Sequence, residues 1–309
     1  MEPEAGPGLA RTAELPPLHA ADGGAIEPRR LLALDGSHGL ALLDDRRPNT
    51  LFCADIETGS VVREWRNEAP LRGLALFGGK DAPGVELLAV SRQEILQFDT
   101  RTRRGIVDSH FYRTNYSFRC TLGLPRGHVV VAFDNGDLRL YARISGNAKN
   151  VLPAKRPDMV RSMDCSRDGA LVLIATSTRV LLLQELHHGI SVFTRTFLCN
   201  DKPQPLVLEV CAETMRRAGL DRLNFHSAHF DERRTAVERY IVAATGEFLV
   251  LWELEEVLRG RRTATQIYRA GEQLLGGEFC FDRDELLVAG ASGLFVQSMQ
   301  RVPFPAEEP

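Results

Sequence analysis

HVVVAFDNGDLRLYAR, residues 128–143, is the stretch that decides the fold. An apolar strand leads into the polar turn Asp134-Asn135-Gly136-Asp137, and a second apolar strand follows through Leu138, Leu140 and Tyr141. Asn-Gly is the strongest short hairpin signal, because both central positions of a type I′ turn need φ > 0. A calcium loop is excluded, since the spaced ligands and closing Glu of an EF-hand are absent. The same strand–turn–strand pattern returns at 169–186 (GALVLIATSTRVLLLQEL), 239–254 (RYIVAATGEFLVLWEL) and 284–298 (DELLVAGASGLFVQS), with a looser copy at 85–100. The turns fall near Arg92, Asn135, Ser177, Gly246 and Ala291, mostly about forty to fifty residues apart, the period of a four-stranded propeller blade. The pattern predicts an all-β radial array of small sheets, an architecture that holds partners more often than it does chemistry.

Working outward, six blades are expected, with seven as the alternative. The first takes RRLLAL, GLALLD, TLFCADI and SVVREW; the second LRGLALF, VELLAV, EILQFD and GIVDSHF. The third takes SFRCTLG, HVVVAF, DLRLYA and a weak outer strand near 149–152. The fourth is assigned MVRSMDC, ALVLIAT, RVLLLQEL and SVFTRTF, and the fifth LNFHSAHF, RYIVAAT, EFLVLWEL and TQIYRA. The sixth takes GGEFCF, ELLVAG and GLFVQS and lacks an outer strand of its own. The interval from Ser177 to Gly246 is too long for one blade, so an inserted strand and short helix (AETMRRAGL) are placed between blades four and five. LEEVLRGRR reads as a second helical turn with Gly260 available at its C-terminal end. The domain plan is a mostly flexible segment 1–28, a propeller over 29–300 and a tail over 301–309. Within the first segment, 9–15 (LARTAEL) is the candidate strand for closing the ring, since an unpaired outer edge is a liability.

The chain has 309 residues and a formal net charge of −3, which argues against a dedicated nucleic-acid binder. Lysine occurs only at Lys80, Lys149, Lys155 and Lys202. Six scattered cysteines without a CxxC pair fit reduced thiols in a cytoplasmic or nuclear protein. No apolar run reaches the length of a membrane span. Adjacent residues on extended chain point to opposite faces, as do residues three apart, so His187-His188 and His226/His229 converge on a metal only if a loop bends the chain. No GxSxG, P-loop, GxGxxG or HExxH occurs. No catalytic residue, cofactor site or metal site is therefore assigned. The pairs Phe98-Asp99, Tyr141-Ala142, Leu183-Gln184 and Trp252-Glu253 stand where a WD repeat closes its third strand with Trp-Asp, so their first members are expected to pack between blades.

Four runs go further: NGDLRLYARISGNAKNVLPA, MDCSRDGALVLIAT, DKPQPLVLEV and TGEFLVLWELEEVLRG. Together they resemble the C-terminal WD-repeat-like domain of the vacuolar import and degradation protein 27 family, over nearly everything from about Pro28 to Met299. GNAK and DKPQP are the specific elements. Family members usually carry a pleckstrin-homology-like region ahead of this domain, which this sequence lacks; a compact member or a truncated form is expected. The resemblance implies a cytoplasmic role in delivering proteins for vacuolar degradation; with the blade period and the lack of a catalytic motif, a non-catalytic monomeric propeller scaffold without cofactor is expected, binding protein partners in vacuolar import and degradation or vesicle trafficking. The alternative is a propeller hydrolase or lyase with catalytic residues on its loops. Asn147, Lys149, Lys202 and Gln204 are the polar residues of the two specific elements. They either cap loops and bridge blades or contact a partner.

Overall fold

A computed structural model describes residues 18–34, 39–55, 58–78, 85–153, 158–231, 238–269, 273–274, 281–282, 285–290 and 293–298. The first sheet contains β1 (Pro28–Ala33), β2 (Gly39–Asp44), β3 (Thr50–Asp55) and β4 (Ser60–Arg66), hydrogen-bonded in chain order. The second contains β5 (Gly73–Leu76), β6 (Glu86–Val90), β7 (Glu94–Asp99) and β8 (Ile106–Phe111). The third follows with β9 (Phe118–Gly123), β10 (Val129–Phe133), β11 (Leu138–Tyr141) and β12 (Asn150–Leu152). The fourth begins with β13 (Val160–Cys165), β14 (Leu171–Thr176) and β15 (Val180–Gln184). After them a two-stranded ribbon, β16 (Leu186–His187) and β17 (Ile190–Ser191), precedes β18 (Leu206–Leu208), the fourth sheet's outer strand. Helix α1 (Ala212–Ala218) leads to the fifth sheet: β19 (Phe225–Phe230), β20 (Tyr240–Thr245), β21 (Phe248–Glu253), helix α2 (Leu254–Leu258) and β22 (Gln266–Arg269). Among the described residues the last sheet has β23 (Phe281–Asp282), β24 (Glu285–Gly290) and β25 (Gly293–Ser298).

Among the described residues every pair of strands within a sheet is antiparallel, and the first strands of the first five sheets adjoin in turn: β1 with β5, β5 with β9, β9 with β13, β13 with β19. Side-chain alternation explains why. Leu87 and Ala89 of β6 enter a core shared with Ala41, Leu43, Leu51 and Cys53 of the first sheet. Their neighbours Leu88 and Val90 turn the other way, into a core shared with Phe118, Val129, Val131 and Phe133 of the third. β10 repeats the division, sending Val130 and Ala132 toward Val172 and Ile174 of the fourth sheet. On the far side of β14, Leu171, Leu173 and Ala175 meet Ile241 and Ala243 of the fifth. The second strands β2, β6, β10, β14 and β20 are therefore buried on both faces, and the sheets stack about a common axis. This is a WD40-like β-propeller. The residues at the Trp-Asp positions behave as expected: Phe98, Tyr141, Leu183 and Trp252 are buried in the cores between their own sheet and the one before.

Several local expectations are corrected. Only Gly136 of the Asn-Gly turn has positive φ (86°), so this hairpin is not type I′. Asn135 instead accepts from the Asp137 amide at 3.1 Å and donates to its carboxylate at 2.8 Å, which stabilises a longer loop. SVFTRTF is not the outer strand of the fourth sheet. Val192 and Phe193 are adjacent and both buried, which alternating faces at a sheet edge forbid, so the segment turns inward. Leu206–Leu208, assigned to the insertion, takes the vacated edge and pairs with β15. Residues 18–27 belong to the packed domain rather than to a flexible segment: Ala20 and Ile26 are buried against Leu42, Phe52 and Ala54. The closing strand proposed at 9–15, most of GGEFCF and the tail 301–309 lie outside the described residues. Both helices form where expected, and Gly260 (φ 101°) follows α2 with its amide on the Val257 carbonyl.

Burial divides the cysteines. It pushes the Cys53 thiol up to about 12 and the Cys120 thiol to about 11. Cys211, exposed at the N-terminus of α1, is lowered by hydrogen bonds from the Thr214 hydroxyl and amide. Iodoacetamide at neutral pH should alkylate Cys199 and Cys211 in the native protein and leave Cys53, Cys120 and Cys165 untouched until unfolding. Mass mapping of the modified peptides checks this; stoichiometric labelling of Cys120 in the native state would contradict the packing.

Candidate functional site

The seam between the third and fourth sheets joins the two family-specific elements. Asn147 and Lys149 sit in the loop from β11 to β12, with Asn147 exposed and Lys149 half-buried. Tyr112, from the second sheet, pins this loop by donating its hydroxyl to the Ile144 carbonyl, with the Gly146 carbonyl at 3.2 Å. Lys202 and Gln204 lie on the extended run into β18. The Lys202 ammonium donates to the Val151 carbonyl of β12 at 3.0 Å, bridging residues 51 apart in sequence. Exposed Gln204 donates to the Lys202 carbonyl at 3.3 Å. Lys202 thus ties DKPQP to the strand that follows GNAK, while Asn147 and Lys149 have no side-chain hydrogen bond or ion pair among the described residues.

Sequence reasoning missed the residue that holds the seam, Asn150. Its side chain is buried, donates to the carbonyls of Val192 at 2.6 Å and Arg195 at 2.8 Å, and accepts from the Phe197 amide at 3.0 Å. These bonds draw 192–197 into a turn that delivers Val192, Phe193 and Phe197 to the core between the two sheets. His128 stacks on Phe193 at 5.0 Å, with its Nδ1 3.2 Å from the Ala142 carbonyl. A signal was available: Asn150 and Leu152 alternate with Val151, so the amide shares the inward face of β12 with a leucine. A buried amide on an apolar face must find partners.

Asp158 performs a similar task one turn earlier. Its carboxylate accepts from the hydroxyls of Thr176, Ser177 and Thr178 and from the amides of Ser177 and Thr178, clasping the β14–β15 hairpin. Burial alone would raise its pKa, but the hydrogen bonds from Ser177, Thr176 and Thr178 prevail and hold it down at about 2. Asp158 also lines a pocket of about 80 Å3 with Leu152, Pro153, Arg179, Pro203 and Gln204. That volume suits a few waters and falls far below the roughly 300–1,000 Å3 of a small-molecule site. A larger cleft of about 620 Å3 opens beside α2, where Glu209, Glu253, Glu256, Arg261 and Arg262 form its polar walls. Glu256 there already pairs with Arg259 and Arg261, both at 3.0 Å.

The ribbon behind the seam provides the bend on which convergence of the histidine pair depends. His188 and Gly189 form its two-residue loop, and both have positive φ (50° and 75°), the requirement of the type I′ turn expected at Asn135-Gly136. The left-handed His188 swings its ring to within 4.1 Å of the His187 ring. Both Nε2 atoms lie 3.1 Å from one oxygen of Asp201, and the hydrogen bonds from His187 and then His188 lower that carboxyl. His226 and His229 alternate in β19 without joining this cluster.

A stack of antiparallel sheets, with Phe98, Tyr141, Leu183 and Trp252 packed between sheets at the Trp-Asp positions, defines a WD40-like propeller domain. The chain belongs to the family described as the VID27 C-terminal WD40-like domain, which matches residues 8–305. It is 28% identical over 297 residues to vacuolar import and degradation protein 27 of Schizosaccharomyces pombe, covering 91% of this chain and 37% of that relative. Against the Saccharomyces cerevisiae protein of the same name, identity is 23% over 287 residues, covering 86% and 36%. The chain therefore spans about a third of the length of these curated relatives.

Two substitutions test the seam. Asn150→Ala leaves two carbonyls and an amide without partners in a buried turn and should cost about 2–4 kcal/mol in urea denaturation. Lys202→Ala, which removes one half-buried contact, should cost about 1 kcal/mol or less. The Asp158 carboxylate adds a pH signature. Its folded pKa lies below the ordinary 3.8, so its stabilising contribution is complete above that value and disappears as pH falls toward about 2. Asp158→Asn should be less stable than wild type at neutral pH and lose less stability across that acidic window. Parallel denaturation curves at every pH would contradict the assignment.

Proposed function

We propose that this domain is a non-catalytic scaffold that binds protein partners in vacuolar import and degradation or the accompanying vesicle traffic, acting in the cytoplasm as a monomer. One observation carries the proposal: Lys202 of DKPQP is tied to β12, the strand that GNAK leads into, and Asn147 and Gln204 remain exposed on either side. Leu186 and Leu198, 56% and 75% exposed, stand on the neighbouring ribbon and turn. Exposed apolar side chains beside exposed polar groups have the chemistry of a protein interface. Asn147, Lys149 and Gln204 are assigned to partner contact, and Lys202 to holding the surface that presents them. The family's vacuolar role comes from the names of the two yeast relatives. The small seam pocket and the Glu256–Arg261 pair in the larger cleft support a binding role over turnover. With a net charge of −3, nucleic acid is not an expected partner. Among the described residues no helix is long and apolar enough to cross a membrane.

Photo-crosslinking amino acids placed at Lys149 and Gln204, with Val62 on the outer strand of the first sheet as control, test the proposal in cells. The same protein adducts should form from both seam positions and be missing from the control. Equal labelling at all three positions would remove the seam as the binding edge. A metabolite that raises the melting temperature and is consumed by the purified protein would replace the scaffold with the enzyme alternative.

A further inference from the structure

We propose that His187, His188 and Asp201 form a binding site for one zinc ion, on the ribbon edge of the fourth sheet. The inference is independent of the scaffold reading. Each residue presents one ligand atom, and the three atoms lie within 4.8 Å of one another. The Nε2 atoms of both histidines are 3.1 Å from the Asp201 carboxylate oxygen. With Zn–N and Zn–O bonds of about 2.0–2.2 Å, the edge of a tetrahedral coordination shell is roughly 3.3 Å. The two histidine–carboxylate distances are therefore nearly those of a filled shell, and side-chain rotation that closes the third, within 4.8 Å, seats the ion.

The cluster is built by its surroundings. His188 holds a left-handed conformation (φ 50°) that only one other non-glycine, Arg126, shares among the described residues. Histidine adopts this region more readily than most side chains, but the conformation remains uncommon. It is what reverses the usual divergence of adjacent side chains. The His187 ring packs edge-on against Phe197, centroids 5.0 Å apart, and the amide of Phe197 is fixed by Asn150. Asp201 closes a turn with its amide on the Leu198 carbonyl at 3.0 Å, and the next residue, Lys202, is anchored to β12. The ligand-bearing chain is thus tied down at both ends before any ion arrives, as a preorganised site requires.

The donor set selects the cation. Two imidazoles and one carboxylate suit a borderline ion such as Zn2+, whereas Ca2+ and Mg2+ demand shells of oxygen. Zinc takes the Nε2 lone pairs, leaving each ring proton on Nδ1, and the Asp201 oxygen exchanges two N–H partners for the metal. Three protein ligands leave the fourth position to water. His187 is 25% exposed and His188 68%, so an ion can enter from solvent.

The test is calorimetric titration of the untagged, chelator-treated full chain with zinc, in a Cys199→Ser, Cys211→Ser background that removes the exposed thiols as competing ligands. Binding should saturate at one equivalent and raise the melting temperature, with no uptake of Mg2+. His188→Ala and Asp201→Asn avoid the packed His187 ring and should each weaken binding by roughly 100-fold or more, at least the loss seen when a mere supporting group is removed. Their unliganded melting temperatures show that each variant is folded. Absence of zinc uptake by the parent chain, or uptake undiminished in both folded variants, would overturn the proposal.

Discussion

Each second strand here is apolar on both faces, and that constraint governs the rest of the molecule. A sheet with one wet face can stand at the surface of a sandwich, but β6, β10, β14 and β20 have none. β6, β10 and β14 each lie between two other sheets, and successive sheets therefore stack around an axis. The polar residues are left to the turns, the outer strands and the seams. Hydrophobic burial sets the architecture, but because it is non-directional it does not fix how neighbouring blades are locked in register.

That register is set by a few buried polar groups. Between the third and fourth sheets, Asn150 uses both ends of its amide to fold 192–197 inward, Asp158 clasps the opposing hairpin, and Lys202 ties the outer strand's approach to β12. Such groups are costly to bury without partners and specific once they have them. The same clamps carry the histidine ribbon and present Gln204 and Lys149 at the edge. The surface assigned to partners and the cluster assigned to zinc thus share one supporting framework, although neither depends on the other's ligand.

The legible parts of the fold were those governed by period-two patterning. The hairpins around Arg92, Asn135, Ser177 and Gly246 and the β24–β25 pair stand where the alternation placed them, and AETMRRAGL and LEEVLRGRR form their helices. What escaped was set by long-range contacts. SVFTRTF has strand-like composition, but Phe193 and Phe197 are drawn to a core formed by residues far away in sequence, so a later segment occupies the sheet edge. The pairing of the two family-specific elements was invisible because Lys202 finds its partner 51 residues away. The histidine pair failed to signal itself because adjacent residues diverge in every regular strand. Only the left-handed turn at His188-Gly189 reverses that, and His-Gly is a weaker turn signal than the Asn-Gly that suggested a type I′ hairpin elsewhere.

The central claim is that the sheets share their cores and are stable only as a stack. Native-state hydrogen exchange, followed by residue in increasing denaturant, tests it most directly. The account predicts that the amides of β6, β10, β14 and β20 exchange slowest and converge on one global opening free energy, while the outer strands β4, β8 and β12 open earlier. If one of those central strands exchanged as fast as the outer strands, or neighbouring central strands opened separately with different free energies, each sheet would be stable alone. The shared-core account would then be wrong.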